Sequence, residues 1–231
     1  MSNPERQIDR LEFDIVAAGT GVGMGLPSHD RLQELSSRDP DWNRVGQLAT
    51  YHGVYPVLFQ ALEHAVDDAP ADTLKRLHRG YIDTAARNLQ QIQELGRVSR
   101  YLKEGGVRMI SFKGPVLAHE AYRNLALRPS IDLDLLVASD DFDRAADLLE
   151  KDGYTAVMRP EIGSLKRRVH RYLSQQVPYV KDRTYALDVH MNIMPPGYYY
   201  AFSFATLYER SHVATIAGQS IRSFQAEDVL Q

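Results

Sequence analysis

The chain has 231 residues, of which 44% are hydrophobic and 25% charged, and its formal net charge is -3. This is the balance of an ordinary globular protein with one large domain or two small ones. The absence of cysteine excludes disulfides, thiolate zinc sites and cysteine nucleophiles. The start of the chain is polar, and no apolar run approaches the roughly 20 residues of a membrane span. We therefore expect a cytoplasmic protein with no membrane association, and its net charge makes nucleic acid an unfavourable partner.

The first half of the chain reads as helical. Asp41 is placed to cap a helix that starts at Trp42 and runs toward Ala65, and Pro56 should kink or break that helix. Apolar residues then recur at helical spacing from Ala71 to Lys103, which predicts one long amphipathic helix. Before these helices, Gly19 to Gly25 resembles a phosphate loop in composition. It lacks the Gly-Lys-Ser/Thr ending of such loops, which favours a flexible linker.

From Val107 onward the pattern is that of a mixed α/β unit. Short apolar runs alternate with helical segments, and two pairs of runs flank short turns in the way of β-hairpins. The predicted strands are 107–112, 131–137, 154–158, the hairpin 176–181 with 185–193, and the hairpin 213–216 with 220–224. The predicted helices are 115–122 and 140–151. We expect an α+β protein with a helical region over 1–105 and a second domain over 106–231, and the helix start at Glu227 predicts a truncated C-terminus.

Asp132 and Asp134 are the most informative residues. On a strand, positions two apart share a face, so both carboxylates should project together. The residues between and around them should form the buried face, and these are Ile131, Leu133, Leu135 and Val137. Charges on a core strand need a compensating cation, and magnesium accepts hard oxygen ligands of this kind. The alternative is that the two acids end a strand and are simply solvated.

A second strand carries polar residues on one face. Between Tyr185 and Ile193, the polar positions Asp188, His190 and Asn192 alternate with apolar ones. Asp188 could complete a carboxylate cup for one or two metal ions with the earlier pair. It could also be a surface residue of a hairpin. His190 could support the acid, act as a base or fill a polar pocket, and the supporting role is the one we favour.

Lys113 and Gly114 lie between a predicted strand and a predicted helix. Glycine lets the backbone approach a ligand closely, and amides at a helix start favour phosphate oxygens. Lys113 would add positive charge there. Arg128, four residues before Asp132, could neutralise phosphate charge or simply pair with the acids.

Two further segments have both a functional and an ordinary interpretation. Lys166 to Arg171 is basic and could clamp phosphates, although a solvated helix face is the simpler interpretation. Tyr198 to Tyr200 could stack on a base or an aromatic acceptor, although core packing of at least one ring is the safer expectation.

These motifs together resemble a known family. The segment Ser111 to Ala118, then Tyr122, then Arg128 to Val137, and later the run Asp188-Val189-His190, are similar to the motifs of the uncharacterised nucleotidyltransferase family. The resemblance covers most of the chain from about Asp41 to its end.

That resemblance implies a polymerase-β-like nucleotidyltransferase palm, a small mixed sheet flanked by helices. Asp132, Asp134 and Asp188 would be its metal-binding and catalytic carboxylates, and Lys113, Gly114 and Arg128 its nucleotide-binding residues. The broader superfamily usually has Gly-Ser before the acidic pair, whereas here Pro115 follows the glycine. Proline offers neither a hydroxyl nor an amide hydrogen, so phosphate binding would fall to Lys113, Arg128 and later backbone.

The function so implied is a magnesium-dependent nucleotidyltransferase, with manganese as the alternative ion. It would move a nucleoside monophosphate from a triphosphate such as ATP to an acceptor hydroxyl and release pyrophosphate. A small-molecule acceptor is favoured over nucleic acid. Two alternatives stay open: a non-catalytic palm that binds a nucleotide or a protein partner, and a phosphohydrolase that uses the same carboxylates.

Overall fold

The computed structural model describes residues 10–66, 69–157, 176–182, 184–193 and 203–229. By their contacts the residues group into two compact units, Met1–Arg87 with Asn124–Pro129, and Asn88–Arg123 with Ser130–Gln231. The predicted domain boundary between residues 105 and 106 stays a prediction, because contact grouping does not test which part folds alone. In the part of the chain that the structure describes, no helix combines the length and the hydropathy needed to cross a bilayer.

The first unit is helical, as predicted. Its helices are α1 (Arg10–Gly23), α2 (His29–Ser36), α3 (Trp42–Tyr51), α4 (Tyr55–Ala65) and the first half of α5 (Ala71–Glu104). Asp41 caps α3, because its carboxylate accepts from the amides of Asn43 and Arg44 at 2.9 and 3.2 Å. Pro56 lies in the first turn of α4, where its missing amide costs no helical hydrogen bond. The predicted cap and the predicted break are both confirmed.

The expectation of a flexible linker at Gly19 to Gly25 is wrong, because α1 continues to Gly23. Two glycines of α1 lie where this helix crosses α4 so closely that no side chain would fit. A Cβ on Gly19 would meet the Leu58 Cδ1 atom at 2.4 Å, and one on Gly23 would meet the Val57 carbonyl oxygen at 2.5 Å. The glycines therefore let α1 approach α4 closely. Glycine destabilises a helix interior, and the close packing of the two helices offsets that effect.

Helix α5 confirms the long amphipathic prediction, running from Ala71 to Glu104. Its predicted apolar stripe includes the buried Leu77, Ile92, Leu95 and Leu102. The helix ends where expected, since Gly106 takes a φ of +78° that favours glycine.

The second unit is built on a mixed sheet, which confirms the predicted α+β class. In the described residues the strand order is β3-β4-β5-β2-β1-β7-β6. The strands are β1 (Met109–Ser111), β2 (Leu133–Val137), β3 (Thr155–Ala156), β4 (Gln176–Lys181), β5 (Tyr185–His190), β6 (His212–Ile216) and β7 (Gln219–Ser223). The pairs β2–β5 and β1–β7 are parallel, and the other pairs are antiparallel.

Both predicted hairpins are confirmed. Strands β4 and β5 pair from Lys181↔Tyr185 to Gln176↔His190. Strands β6 and β7 close at Ala217 and Gly218, whose φ angles of +47° and +79° are those of a tight hairpin turn. Local turn chemistry therefore sets these two registers.

Helices flank the sheet. They are α6 (Gly114–Tyr122), a 3₁₀ turn (Ser139–Asp141) continuing into α7 (Phe142–Lys151), α8 (Phe204–Arg210) and α9 (Ala226–Val229). Paired residues of neighbouring strands point to one face, so the pairing Ser111↔Leu135 and Leu135↔Val189 places those three side chains together. Asp134 and Asp188, one position away, point to the opposite face.

Candidate active site

Asp134 and Asp188 lie side by side at the centre of the sheet. They are directly paired across the parallel strands β2 and β5, so their carboxylates project from one face. Asp134 has only 6% of its surface exposed, which excludes the solvated interpretation for this residue, and Asp188 is half-buried. Two neighbouring carboxylates in a part-buried position repel each other and favour a cation between them.

Asp134 is held by two nitrogen donors. His190 Nε2 lies 2.9 Å from its Oδ1 atom, and Lys113 Nζ lies 3.4 Å from the same atom. Burial alone would raise the pKa of Asp134, but the hydrogen bond from His190 and the Lys113 charge outweigh it and lower the pKa. Because an ionised carboxylate only accepts hydrogen bonds, Nε2 of His190 carries the hydrogen and donates it.

The environment of Asp188 has the opposite effect on its acidity. Burial, followed by the negative charge of Asp132, raises the pKa of Asp188, although His190 opposes this shift. Gln176 donates to Asp188 Oδ2 at 3.4 Å, a long hydrogen bond that compensates little. The neighbours of the two carboxylates thus shift their pKa values in opposite directions, down for Asp134 and up for Asp188. Such a difference is typical of sites where two acids have different chemical roles.

Asp132 and Ile131 differ from the sequence expectation. Strand β2 begins at Leu133, so Asp132 precedes the strand instead of lying within it, and Ile131 is 81% exposed. The expected burial of Ile131 is therefore wrong. The physical reason is a local turn, in which the Ser130 hydroxyl donates to the Asp132 carbonyl at 2.9 Å. Because of this turn, the strand begins only at Leu133. Asp132 is half-buried and still close enough to act on the pKa of Asp188.

The Lys113–Gly114 turn packs against that same segment. Gly114 starts α6 with a φ of +55°, and a Cβ there would meet the Asp132 carbonyl oxygen and the Ser130 hydroxyl, both at 3.0 Å. Both the backbone angle and the close approach require glycine. The turn places the exposed Lys113 next to Asp134, with its ammonium 5.0 Å from the centre of the Phe112 ring.

Replacing Gly114 by alanine should displace this turn. The strained angle and the two contacts predict a loss of about 1–3 kcal/mol in the free energy of unfolding. Urea denaturation of Gly114→Ala measures it, with Gly46→Ala as the control. Gly46 lies inside α3, and an added Cβ would make only an ordinary van der Waals contact, with Arg76 Nη2 at 3.6 Å. Equal stability of the two variants would contradict the tight turn.

Arg128 belongs to the segment Asn124–Pro129, which groups with the helical unit and not with the unit that carries the carboxylates. Its predicted phosphate contact stays a prediction. The basic segment Lys166 to Arg171 and the tyrosines Tyr198 to Tyr200 lie outside the described residues.

Three residues around the carboxylates make contacts that the sequence did not predict. Ser130 fixes the turn before β2, Gln176 contacts Asp188, and the Phe112 ring packs edge-on against the His190 ring at 5.1 Å. Only Gln176 had a readable signal, because the three-residue hairpin turn sets Gln176 opposite His190. The other two contacts arise from packing between segments distant in sequence.

The donor atoms present fit a divalent cation. Asp134, Asp188 and His190 each offer one ligand atom, and these atoms lie within 4.8 Å of one another. Among the described residues, Asp132 is not a member of this trio. The two carboxylate oxygens suit hard cations, and the repulsion between the carboxylates is what such a charge relieves.

No curated protein matches the chain. A solved structure titled as the lincosamide antibiotic adenylyltransferase LnuA, with lincomycin bound, is similar over 60% of this chain and 82% of that chain. The identity is 15% and the TM-score 0.40.

The family comparison covers far more of the sequence. The family described as uncharacterised nucleotidyltransferase matches residues 38–231, a span that includes the helices from α3 onward and all of the sheet. The mixed sheet that carries Asp134 and Asp188 lies within this matched span. The resemblance expected from the motifs is confirmed, and the chain belongs to the uncharacterised nucleotidyltransferase family.

Proposed function

We propose that this protein is a magnesium-dependent enzyme that transfers a nucleoside monophosphate from a triphosphate, ATP first among them, to an acceptor hydroxyl and releases pyrophosphate. The observation that carries the proposal is the direct pairing of Asp134 with Asp188 on adjacent parallel strands. Family membership supports nucleotidyl transfer in general. The choice of magnesium, the release of pyrophosphate and the acceptor hydroxyl go beyond what family membership supports. A cytoplasmic location stays a prediction.

Asp132 and Asp134 would hold the ion that accompanies the triphosphate, and Asp188 would complete the centre with Asp134. When bound, the divalent ion supplies positive charge to the phosphoryl oxygens. Asp134 is prepared for this role, since its lowered pKa keeps it ionised at neutral pH. His190 would hold Asp134 in position through the Nε2 hydrogen bond.

Asp188 would accept the proton of the acceptor hydroxyl. As the acceptor oxygen bonds to the α-phosphorus, the bond from that phosphorus to the bridging oxygen breaks and pyrophosphate departs. The proton would pass to the Asp188 carboxylate, which projects from the same face of the sheet as Asp134. Positioning and electrostatics dominate such reactions, so a few charged groups suffice.

Lys113, Gly114 and Arg128 would bind the phosphates. Lys113 has 51% of its side chain exposed, so its ammonium can turn from Asp134 toward a ligand at little cost. Gly114 lets the backbone come close to a phosphate. We favour a small-molecule acceptor, because the net charge of -3 gives no attraction to a nucleic acid.

Thermal denaturation with ATP, GTP, CTP and UTP, each with and without Mg²⁺, tests the nucleotide site. At a ligand concentration 100-fold above Kd, binding adds about 2.7 kcal/mol, which raises the Tm of a chain of this size by roughly 5–10 °C. We expect one or more nucleotides to do so only with the metal. Asp134→Asn should abolish the shift.

The matched control is Asp147→Asn, which removes an exposed acid from α7 and should leave the shift unchanged. Metal-independent stabilisation, or a shift that survives in Asp134→Asn, would contradict the proposed site. Orthophosphate instead of pyrophosphate as the product of the reaction would identify a phosphohydrolase.

A second candidate function is a non-catalytic palm that binds a nucleotide or a protein partner. One observation favours it: Pro115 occupies the first turn of α6, where an amide could otherwise donate to phosphate. Nucleotide-induced stabilisation without any pyrophosphate release across a panel of hydroxyl acceptors would support this alternative.

A further inference from the structure

We propose that His190 is itself a metal ligand, through Nε2, and that the centre formed by Asp134, Asp188 and His190 prefers a first-row transition-metal dication such as Mn²⁺ to Mg²⁺. This inference rests on the proposed function, because it concerns the ion of the same site. It changes the role of His190 from a support for Asp134 to a direct donor.

The position of His190 suits ligation. Its Nε2 lies 2.9 Å from Asp134 Oδ1. Two donors at roughly 2.1 Å from one ion and at right angles to each other lie roughly 3 Å apart. The imidazole nitrogen and the carboxylate oxygen are therefore already spaced as neighbouring ligands of one ion, and Asp188 provides the third donor of the trio.

The imidazole is also held rigidly. His190 is 7% exposed, its ring packs edge-on against Phe112 with centroids 5.1 Å apart, and its strand neighbour is Leu136. These contacts hold the imidazole ring next to the carboxylates. A buried, oriented imidazole loses little conformational entropy when it binds a metal.

The donor chemistry sets the preference among metals. Mg²⁺ favours an all-oxygen environment, whereas imidazole nitrogen suits transition-metal ions. The Nε2 hydrogen of His190 points to Asp134. If Nε2 were to ligate an ion, the neutral ring would carry its hydrogen on Nδ1 instead. Asp132, outside the trio, remains available to an ion at the triphosphate.

Mn²⁺ alone, added to the full chain free of affinity tags, provides a direct probe. Pulsed electron paramagnetic resonance of bound Mn²⁺ detects the hyperfine coupling of a directly ligating imidazole nitrogen. We expect this coupling in the wild type. Calorimetric titration should in addition show tighter binding of Mn²⁺ than of Mg²⁺.

The decisive variant is His190→Gln. Glutamine keeps an N–H donor for Asp134 but has no nitrogen lone pair to offer a metal. The nitrogen coupling should disappear, and the Mn²⁺ affinity should fall by at least about tenfold, the smallest effect usual for groups around a metal. The matched control is His212→Gln. His212 pairs with Ser223, which pairs with Ser111, so it points to the sheet face opposite the carboxylates.

Each outcome is decisive. Coupling lost in His190→Gln but kept in His212→Gln supports direct ligation. Bound Mn²⁺ without nitrogen coupling, or coupling that survives in His190→Gln, overturns the inference and leaves the carboxylate site of the proposed function intact. Failure of the wild type to bind either Mn²⁺ or Mg²⁺, with or without a nucleotide, overturns the inference and the proposed metal dependence together.

Discussion

Asp188→Asn is expected to lower the rate of nucleotidyl transfer by roughly 10²–10⁴-fold, the usual contribution of a positioned proton acceptor, while nucleotide binding changes little. Asparagine keeps the size and the polarity of the side chain but cannot act as a base toward the hydroxyl group of the acceptor substrate. The hydrogen bond that Asp188 accepts from Gln176 is long, at 3.4 Å, so its loss should disturb the fold little. The loss should therefore fall on kcat and not on KM for the triphosphate.

The measurement is pyrophosphate release with an acceptor identified from a panel of small hydroxyl compounds. Asp134→Asn should lose both nucleotide binding and turnover, because Asp134 belongs to both proposed ion positions. A folded Asp188→Asn protein that keeps full activity would remove Asp188 from the mechanism. An equal loss of kcat in Asp147→Asn, an exposed position on α7, would indicate a general effect of acid removal.

Arg97→Met is expected to destabilise the second unit by about 2 kcal/mol, within the range for hydrogen bonds to charged groups and allowing for the partial exposure of the arginine. Arg97 bonds to Glu94 Oε2 at 2.8 Å and to Asp152 Oδ1 at 2.8 Å. Tyr154 donates to Glu94 at 2.7 Å, and Lys181 donates to Asp152 at 3.1 Å. Methionine keeps the apolar stem but leaves Glu94 without its cation.

The same network makes stability depend on pH. The hydrogen bond from Arg97 is the main cause that lowers the pKa of Glu94 and that of Asp152 in the folded protein. A carboxyl group with a lowered pKa stabilises the fold above its unfolded pKa of about 4, and this contribution is lost as the pH falls through the folded value. Wild-type stability should therefore decrease below about pH 5.

Urea denaturation at several pH values between neutral and acid measures both effects. Arg97→Met should show a shallower decline in stability on acidification, because its carboxyl groups have lost the cation that lowers their pKa. Arg100→Met is the matched control on the same helix, since Arg100 is exposed and bonds to the neutral Gln219 at 2.7 Å. An unchanged acid slope in Arg97→Met would contradict the network.

Elements determined by local chemistry were predictable from the sequence. The Asp41 cap, the Pro56 break and the turn at Ala217 and Gly218 each depend on residues within a few positions, and all three are confirmed. The long helix α5 was equally readable, because its apolar period persists over many turns.

Features determined by distant contacts were not predictable. Gly19 and Gly23 look like linker residues, and only the approach of α4 explains why they lie in a helix. The predicted strand 131–137 starts two residues before β2, which begins at Leu133. Nothing in the sequence reveals the Ser130 turn that exposes Ile131. Asp134, Asp188 and His190 could be singled out from the alternation of polar and apolar residues on two strands, whereas their meeting depends on parallel pairing between those strands.

The apolar face of the sheet has a consequence for how the protein tolerates mutation. Leu135 and Val189 are paired and almost fully buried, and a shift of β5 by one residue would exchange the faces of all its side chains. Asp188 would then enter the apolar interior and Val189 would replace it beside Asp134. Packing on one side of the sheet thus aligns the acids on the other. Substitutions at Leu135 or Val189 would reduce activity by misaligning the acids, although neither side chain points toward them.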